Sequence, residues 1–338
     1  MPALFEGLSE RINVVMDRLD YRQRTIPPLA VVNGVFKKYE DDRGSQLAKL
    51  LAYNGFFSMF PLLLASVSVL GIVLKDNPKL RETLIDSALS SIPVLGSNLQ
   101  DTDPLSGSTS VLVISILMAF WAGLGLLDML QEVVNTVWNV PRFKRPPWVP
   151  RRLRAAGGAL VIVACAGISG LGSYVLATSL ADPWRSTIAA LMAIAAGAFA
   201  FLALHKILCA RQLTLKELLP GAIATALGWW GLFSLGSVYV DRVVKNASDT
   251  YGAFAVVLGL LSWSYLLGMM FVYSTEISAV LADGFWPRSL TGRNLAEPDE
   301  LAIEAVARRE LKFKAAEVSV QVDDVASDDE LDPESQTT

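Results

Sequence analysis

Cysteine and histidine are nearly missing from this chain: 338 residues contain Cys165, Cys209 and His205 and no others of either type. That shortage excludes a disulfide framework and leaves too few nitrogen and sulfur ligands for a zinc centre, so no metal is expected. The two cysteines fall on different apolar segments, one well inside its segment and one near an end, and both read as packing residues. Charge is also scarce, at 18% of residues. No G-x-S-x-G, no H-E-x-x-H and no glycine-rich phosphate loop followed by Lys and Ser or Thr occurs, so neither catalysis nor a cofactor is expected. A hydrolase built on paired Asp128 and Glu132 is the one enzymatic alternative left. The segment before the first apolar run is charged, which does not fit a cleavable signal peptide.

What the chain has instead is long apolar runs, with 52% hydrophobic residues and a mean hydropathy of +0.42. Six runs stand out, near Leu50 to Leu74, Ser110 to Val134, Ala155 to Leu180, Ile188 to Leu208, Pro220 to Val240 and Gly252 to Ala282. Each reaches the roughly 20 residues a helix needs to cross a hydrocarbon core. Most are apolar on every face, unlike the one-sided helices of a soluble core. The expected fold class is therefore all-α, a polytopic membrane protein with a bundle of six transmembrane helices and short amphipathic interfacial helices.

Lys and Arg alternate between heavy and light in successive loops. The segments Met1 to Lys49, Asn135 to Arg154, His205 to Lys216 and the tail from Asp283 hold 23, against 6 in the three other loops. Positive charge collects on the cytoplasmic side, so both termini are expected there. The expected organisation is a cytoplasmic amphipathic segment over 1–47, a bundle over 48–282 with an external loop at 75–109, and a cytoplasmic tail over 283–338. The net charge of −4 identifies no partner, because the acidic excess lies in that tail.

The N-terminal segment carries Leu8, Ile12, Val15, Met16 and Leu19 at helical spacing, ended by Ile26-Pro27-Pro28. A second run comes next, with Leu29, Val32, Val35 and Phe36 apolar and Lys37 and Lys38 beside them. Such helices lie in a membrane interface or pack on the bundle's own loops, and the sequence leaves both open. Pro78 with Leu80, Leu84, Ala88 and Leu89 predicts a short helix in the external loop, and Asp182-Pro183-Trp184-Arg185 predicts a tight turn between spans three and four. Those two spans are rich in small residues, including Gly157, Gly158, Gly167, Gly170 and Gly197, as close helix packing in lipid favours. From about residue 315 the tail turns acidic, with too little apolar surface to offset the entropy of ordering, and is expected to be disordered.

Ionisable groups inside membrane helices are the default functional candidates, because each is costly unless it faces protein or water. Span two carries Asp128, Gln131, Glu132 and Asn135 at i, i+3, i+4 and i+7, one stripe of the helix. Span six adds Glu276, and span one adds Tyr53, Asn54 and Ser58, with Pro61 as a hinge. All fall in the expected cytoplasmic half and could converge on one wet cavity. The plainer alternative places Glu132 and Asn135 at the interface, capped by Arg142, Lys144 or Arg151.

The run Ala52-Tyr53-Asn54-Gly55-Phe56-Phe57-Ser58-Met59-Phe60-Pro61 resembles the AYxxxxSxxP signature of the YihY/virulence factor BrkB family. Tyr251-Gly252 with Trp263, Tyr265 and Glu276 resembles that family's last span, with Thr275 a departure where Ala is frequent. The resemblance covers about Leu47 to Ala282 and implies a bacterial inner-membrane protein. It also carries an old ribonuclease label, which this sequence does not support: it has no metal ligands and no basic platform with stacking aromatics, so no nucleic-acid partner is expected. One branch, YhjD, has been linked to export of lipid A precursors. The leading expectation is a transporter or flippase for a lipid-linked or amphipathic envelope substrate, its path lined by spans one, two and six. The expected partners are membrane lipids, such a substrate and a second copy of the chain. The alternative is a non-catalytic scaffold that docks envelope machinery through its tails.

Overall fold

The computed structural model describes residues 2–73, 109–179, 184–239, 253–292 and 295–319. The expected external helix around Pro78 to Leu89, the Asp182-Pro183 turn, the Tyr251-Gly252 pair and the acidic tail past Ser319 lie outside them. Among the described residues there is no strand. The helices are α1 (Pro2–Thr25), α2 (Pro27–Asp41), α3 (Gly44–Val73), α4 (Thr109–Val137), α5 (Trp148–Ser179), α6 (Trp184–Leu208), α7 (Leu215–Tyr239), α8 (Ala253–Asp283) and α9 (Glu297–Arg309).

The local chemistry explains the breaks. Pro27 and Pro28 occupy the first turn of α2, where a missing N–H costs nothing, and they end α1. Arg43 adopts a left-handed conformation (φ 54°) and turns the chain from α2 into α3. Pro61 sits inside α3, which runs on through it. Thr214 and Glu217 form a reciprocal cap at the start of α7, with Thr214 N–H donating to Glu217 Oε2 at 2.5 Å.

Helices α3 to α8 form a closed ring in which each packs on its sequence neighbours and α8 returns to α3. Their outer faces stay apolar, with Leu117, Trp121, Leu160, Leu191, Phe199 and Leu227 all at least 60% exposed. Water would not tolerate so continuous a belt, whereas lipid would. Five of the six ring helices, all but α7, are long and apolar enough over their described residues to cross a membrane. The chain is a multi-pass membrane protein.

The segments with the most positive charge gather at one end of the ring. There α2 packs on α8, Arg211 pairs with Asp283, and Phe143 N–H donates to Leu311 O at 3.3 Å. The principal core cluster runs up to this end, with Val133, Val134, Val137, Trp138, Leu218 and Val272 buried. Close approach is secured by small residues. A Cβ on Gly34 of α2 would come within 2.8 Å of Phe285 O, and one on Gly221 of α7 would strike Ser274 O of α8. The small residues of α5 and α6 behave less uniformly than expected. Gly158 faces Leu127, Leu204 and Leu208, whereas a Cβ on Gly167, Gly170 or Gly197 would meet nothing within 4 Å among the described residues, so those three are not close-packing positions against them.

Candidate functional site

Two features carry the chemistry: an apolar cavity inside the ring and a buried charge network at its charged end. The cavity has a volume of about 410 Å3. Leu51, Gly55 and Met59 of α3, Leu126 and Leu130 of α4 and Trp263 of α8 contribute to its wall, so spans one, two and six all line it. Ser264 is among its few polar groups. A space of this size and character takes an apolar chain and offers little to a hydrated ion.

The network joins Lys38 of α2, Asp42 just past its end, Glu276 of α8 and Arg309 of α9. Lys38 Nζ donates to Asp42 Oδ2 at 2.6 Å and to Val137 O at 2.8 Å, and stands 3.2 Å from Glu276 Oε2. Arg309 donates to Asp42 Oδ1 and, at 3.2 Å, to Thr136 O. Glu276 is 0% exposed and none of the other three exceeds 6%. Two basic and two acidic side chains share this buried site, and their opposite signs offset part of the cost of burying them. Burial works against the charged form of Lys38, but Asp42 and Glu276 outweigh it and raise the ammonium above its ordinary range.

A second set fastens the C-terminal segment to the N-terminal helices. Arg288 bonds Asp299 at 2.9 Å and Asp41 at 2.5 Å, while its carbonyl accepts from Gln23 at 2.6 Å and Asn33 at 2.8 Å. Asp20 accepts from the Leu290 N–H at 2.8 Å. The described residues after the bundle, up to Arg309, are thus fastened to the N-terminal helices.

The stripe of α4 is positioned differently from the expected wet cavity. Asp128 pairs with Arg152 at 2.8 Å and with Arg151 at 3.4 Å, and Glu132 pairs with Arg145 at 2.6 Å. Gln131 donates to Arg151 O at 2.9 Å. Asn135 bridges to the end of α6, donating to Leu208 O at 3.2 Å and accepting from Ala210 N–H at 2.8 Å, so it caps a helix other than its own. The stripe therefore faces the α4–α5 connection and the α6 terminus, and Glu276 turns instead to Lys38. On α3, Tyr53 is exposed against Phe57, while Asn54 and Ser58 bond carbonyls of their own helix, Leu50 O at 2.8 Å and Gly55 O at 2.9 Å. The structure brings the four stripe residues to one face but does not join them to Glu276, Tyr53 or Ser58.

Thr275, the departure from the family pattern, ties α8 to α6. Its hydroxyl lies 2.8 Å from Phe271 O and 3.2 Å from His205 Nε2, while His205 Nδ1 can only donate to Phe201 O at 2.8 Å. Both cysteines are free, and burial pushes the Cys209 thiol up to about 11, consistent with packing roles.

Sequence reasoning missed Lys38, Asp42, Arg288 and Arg309. One signal was available for Lys38: it shares a face with Ala30 and Gly34 at i+4 steps, the small-residue side on which α2 docks, opposite to Leu29, Val32 and Phe36, which stay exposed.

Among known proteins, the chain is similar to the inner membrane protein YhjD of Escherichia coli strain K12, 23% identical over 79% of this chain and 85% of YhjD. It is also similar to the ribonuclease-like protein YfkH of Bacillus subtilis strain 168, 22% identical over 75% of this chain and 95% of YfkH. A third relative is a UPF0761 membrane protein of Azotobacter vinelandii, 24% identical over 79% and 67% of the two chains. No solved structure matches. The pattern of the family described as virulence factor BrkB matches residues 35–296, from α2 through the whole ring to the edge of α9. With the ring, the network and that match in hand, the chain belongs to the virulence factor BrkB family.

Proposed function

We propose that this is an inner-membrane transporter or flippase-like protein for a lipid-linked or amphipathic envelope substrate, with six spans and its charged end in the cytoplasm. The observation that carries the reading is the apolar cavity of about 410 Å3 lined by membrane helices of the ring. An acyl chain gains almost nothing by moving from bilayer to such a cavity, because both are equally apolar. The cavity therefore eases passage of the chain, and selectivity falls to the polar groups at its ends. Asp128 or Glu276 is the carboxyl that would carry a coupling proton. The similarity to YhjD, whose name places it in the inner membrane, and the excess of Lys and Arg at the charged end support the localisation and orientation.

Gly55 provides the test. It lines the cavity, and a Cβ there meets nothing within 4 Å among the described residues, so Gly55→Leu starts its side chain into open space. In proteoliposomes, scrambling of a fluorescent lipid or complementation of a deletion strain should be lost while the variant elutes and melts like the parent. Full transport with the cavity filled would remove the reading.

The scaffold reading is favoured by one observation, the clamping of Arg288 and Leu290 onto α1 and α2, which presents a fixed surface at the charged end. Transport-inactive protein that still rescues a deletion strain would select it.

A further inference from the structure

A groove of about 620 Å3 opens at the charged end, between the α4–α5 connection, the end of α8 and α9. On the α9 side it is lined by Leu301, Glu304, Ala305 and Arg308, a single helical face at i, i+3, i+4 and i+7. Val140 and Phe285 extend the apolar floor, and Leu301 is 43% exposed upon it. The lining charges are Lys144, Arg211 and Arg308 against Asp283 and Glu304. Arg211 holds Asp283 at 2.8 Å and Arg308 holds Glu304 at 2.6 Å. Among the described residues Lys144 has no carboxylate within 4 Å and only the Phe143 ring beneath it. The groove is thus an apolar floor with one cation left over at its rim.

Just past α9 the chain still touches this rim. Past α9, Leu311 O accepts from Phe143 N–H, next to Lys144. Val320 lies nine positions past Leu311, at most roughly 30 Å of chain, so the residues after Ser319 are within reach of the groove. Their sequence fits: Val318, Val320 and Val322 alternate with Ser319, Gln321 and Asp323, and Asp324, Asp328 and Asp329 come next, with no Lys or Arg after Lys314. Alternation gives one apolar edge for the floor, and the carboxylates supply the sign that Lys144 lacks. We propose that residues 320–338 dock back into this groove, with Val320 and Val322 on Leu301 and Ala305 and Asp323 and Asp324 at Lys144. A short tether sets an effective concentration in the millimolar range, so weak affinity suffices for occupancy. The tail then acts as a built-in competitor that any acidic partner of this surface must displace.

The test uses the full chain in phosphatidylcholine nanodiscs with Cys165→Ala and Cys209→Ala. Disulfide formation is followed for Leu301→Cys with Val322→Cys, and for Leu29→Cys on the exposed face of α2 with Val322→Cys. Docking predicts that the groove pair closes at least about tenfold faster, and that the exposed Lys144→Glu, which leaves the melting temperature unchanged, slows it toward the control. Equal rates for the two pairs, or indifference to Lys144→Glu, would overturn the proposal. Maleimide labelling of Leu301→Cys alone separates the occupants: truncation after Ser319 should speed it. Protection that survives truncation and requires phosphatidylglycerol would assign the groove to lipid headgroups and overturn docking by the tail.

Discussion

Breaking the buried network at Lys38 should cost more than breaking it at Glu276. In Lys38→Met, Asp42 keeps Arg309, but Glu276, 0% exposed and 3.2 Å from the lost ammonium, is left without a cation within 4 Å among the described residues. An uncompensated buried charge of this kind costs about 3–5 kcal/mol. In Glu276→Gln, Lys38 retains Asp42 at 2.6 Å and the Val137 carbonyl at 2.8 Å, so the loss should be about 1–2 kcal/mol. The double variant removes both charges and should recover much of the Lys38→Met deficit, leaving a coupling of about 2 kcal/mol in the cycle. Melting of the detergent-solubilised protein, followed by size-exclusion after heating, should place Lys38→Met on the order of 5–10 °C below the parent. The double variant should melt above that single variant. A Lys38→Met protein as stable as the parent, or a double variant less stable than either single one, would refute the pairing as an energetic unit.

Asn135→Ala should destabilise the chain by about 2 kcal/mol, because it orphans the buried Leu208 carbonyl and the Ala210 N–H at the end of α6, whereas Asn135→Asp should keep only the second bond and fall between. An alanine variant that melts like the parent would show that water satisfies both groups. Glu217 contributes acid-sensitive stability. The Thr214 N–H and hydroxyl, with Arg211, hold its carboxyl below the usual range, so the contribution is present above the unfolded value and is lost as pH falls through the folded one. The melting temperature of the parent should therefore drop toward that of Glu217→Gln between about pH 5 and about pH 3, and curves that stay parallel would dismiss the cap.

How much could be read in advance differs by feature. The ring helices were legible because a run apolar on all faces has one stable setting, and the observed α3, α4, α5, α6, α7 and α8 each enclose or overlap the expected runs. The end-to-end segregation of charge was legible for a related reason, since Lys and Arg cannot rest inside hydrocarbon. The direction of the α4 stripe was not. Spacing at i, i+3, i+4 and i+7 puts Asp128, Gln131, Glu132 and Asn135 on one face, but the rotation of a helix is set by its neighbours, and here that face meets Arg145, Arg151, Arg152 and the end of α6.

By itself, then, the sequence determined a multi-pass helical membrane protein, its breaks at Pro27 and Pro28, and the residues too polar for lipid. Those come from local propensity and from transfer between water and hydrocarbon, which act residue by residue. Only the tertiary structure decided that Glu276 answers to Lys38 across α2, that Arg309 reaches Asp42 from a helix 267 positions later, and that spans one, two and six line an apolar cavity where a polar one was expected. Partners that distant in sequence are chosen by packing, because a buried charge takes whichever opposite charge the closed ring brings within reach.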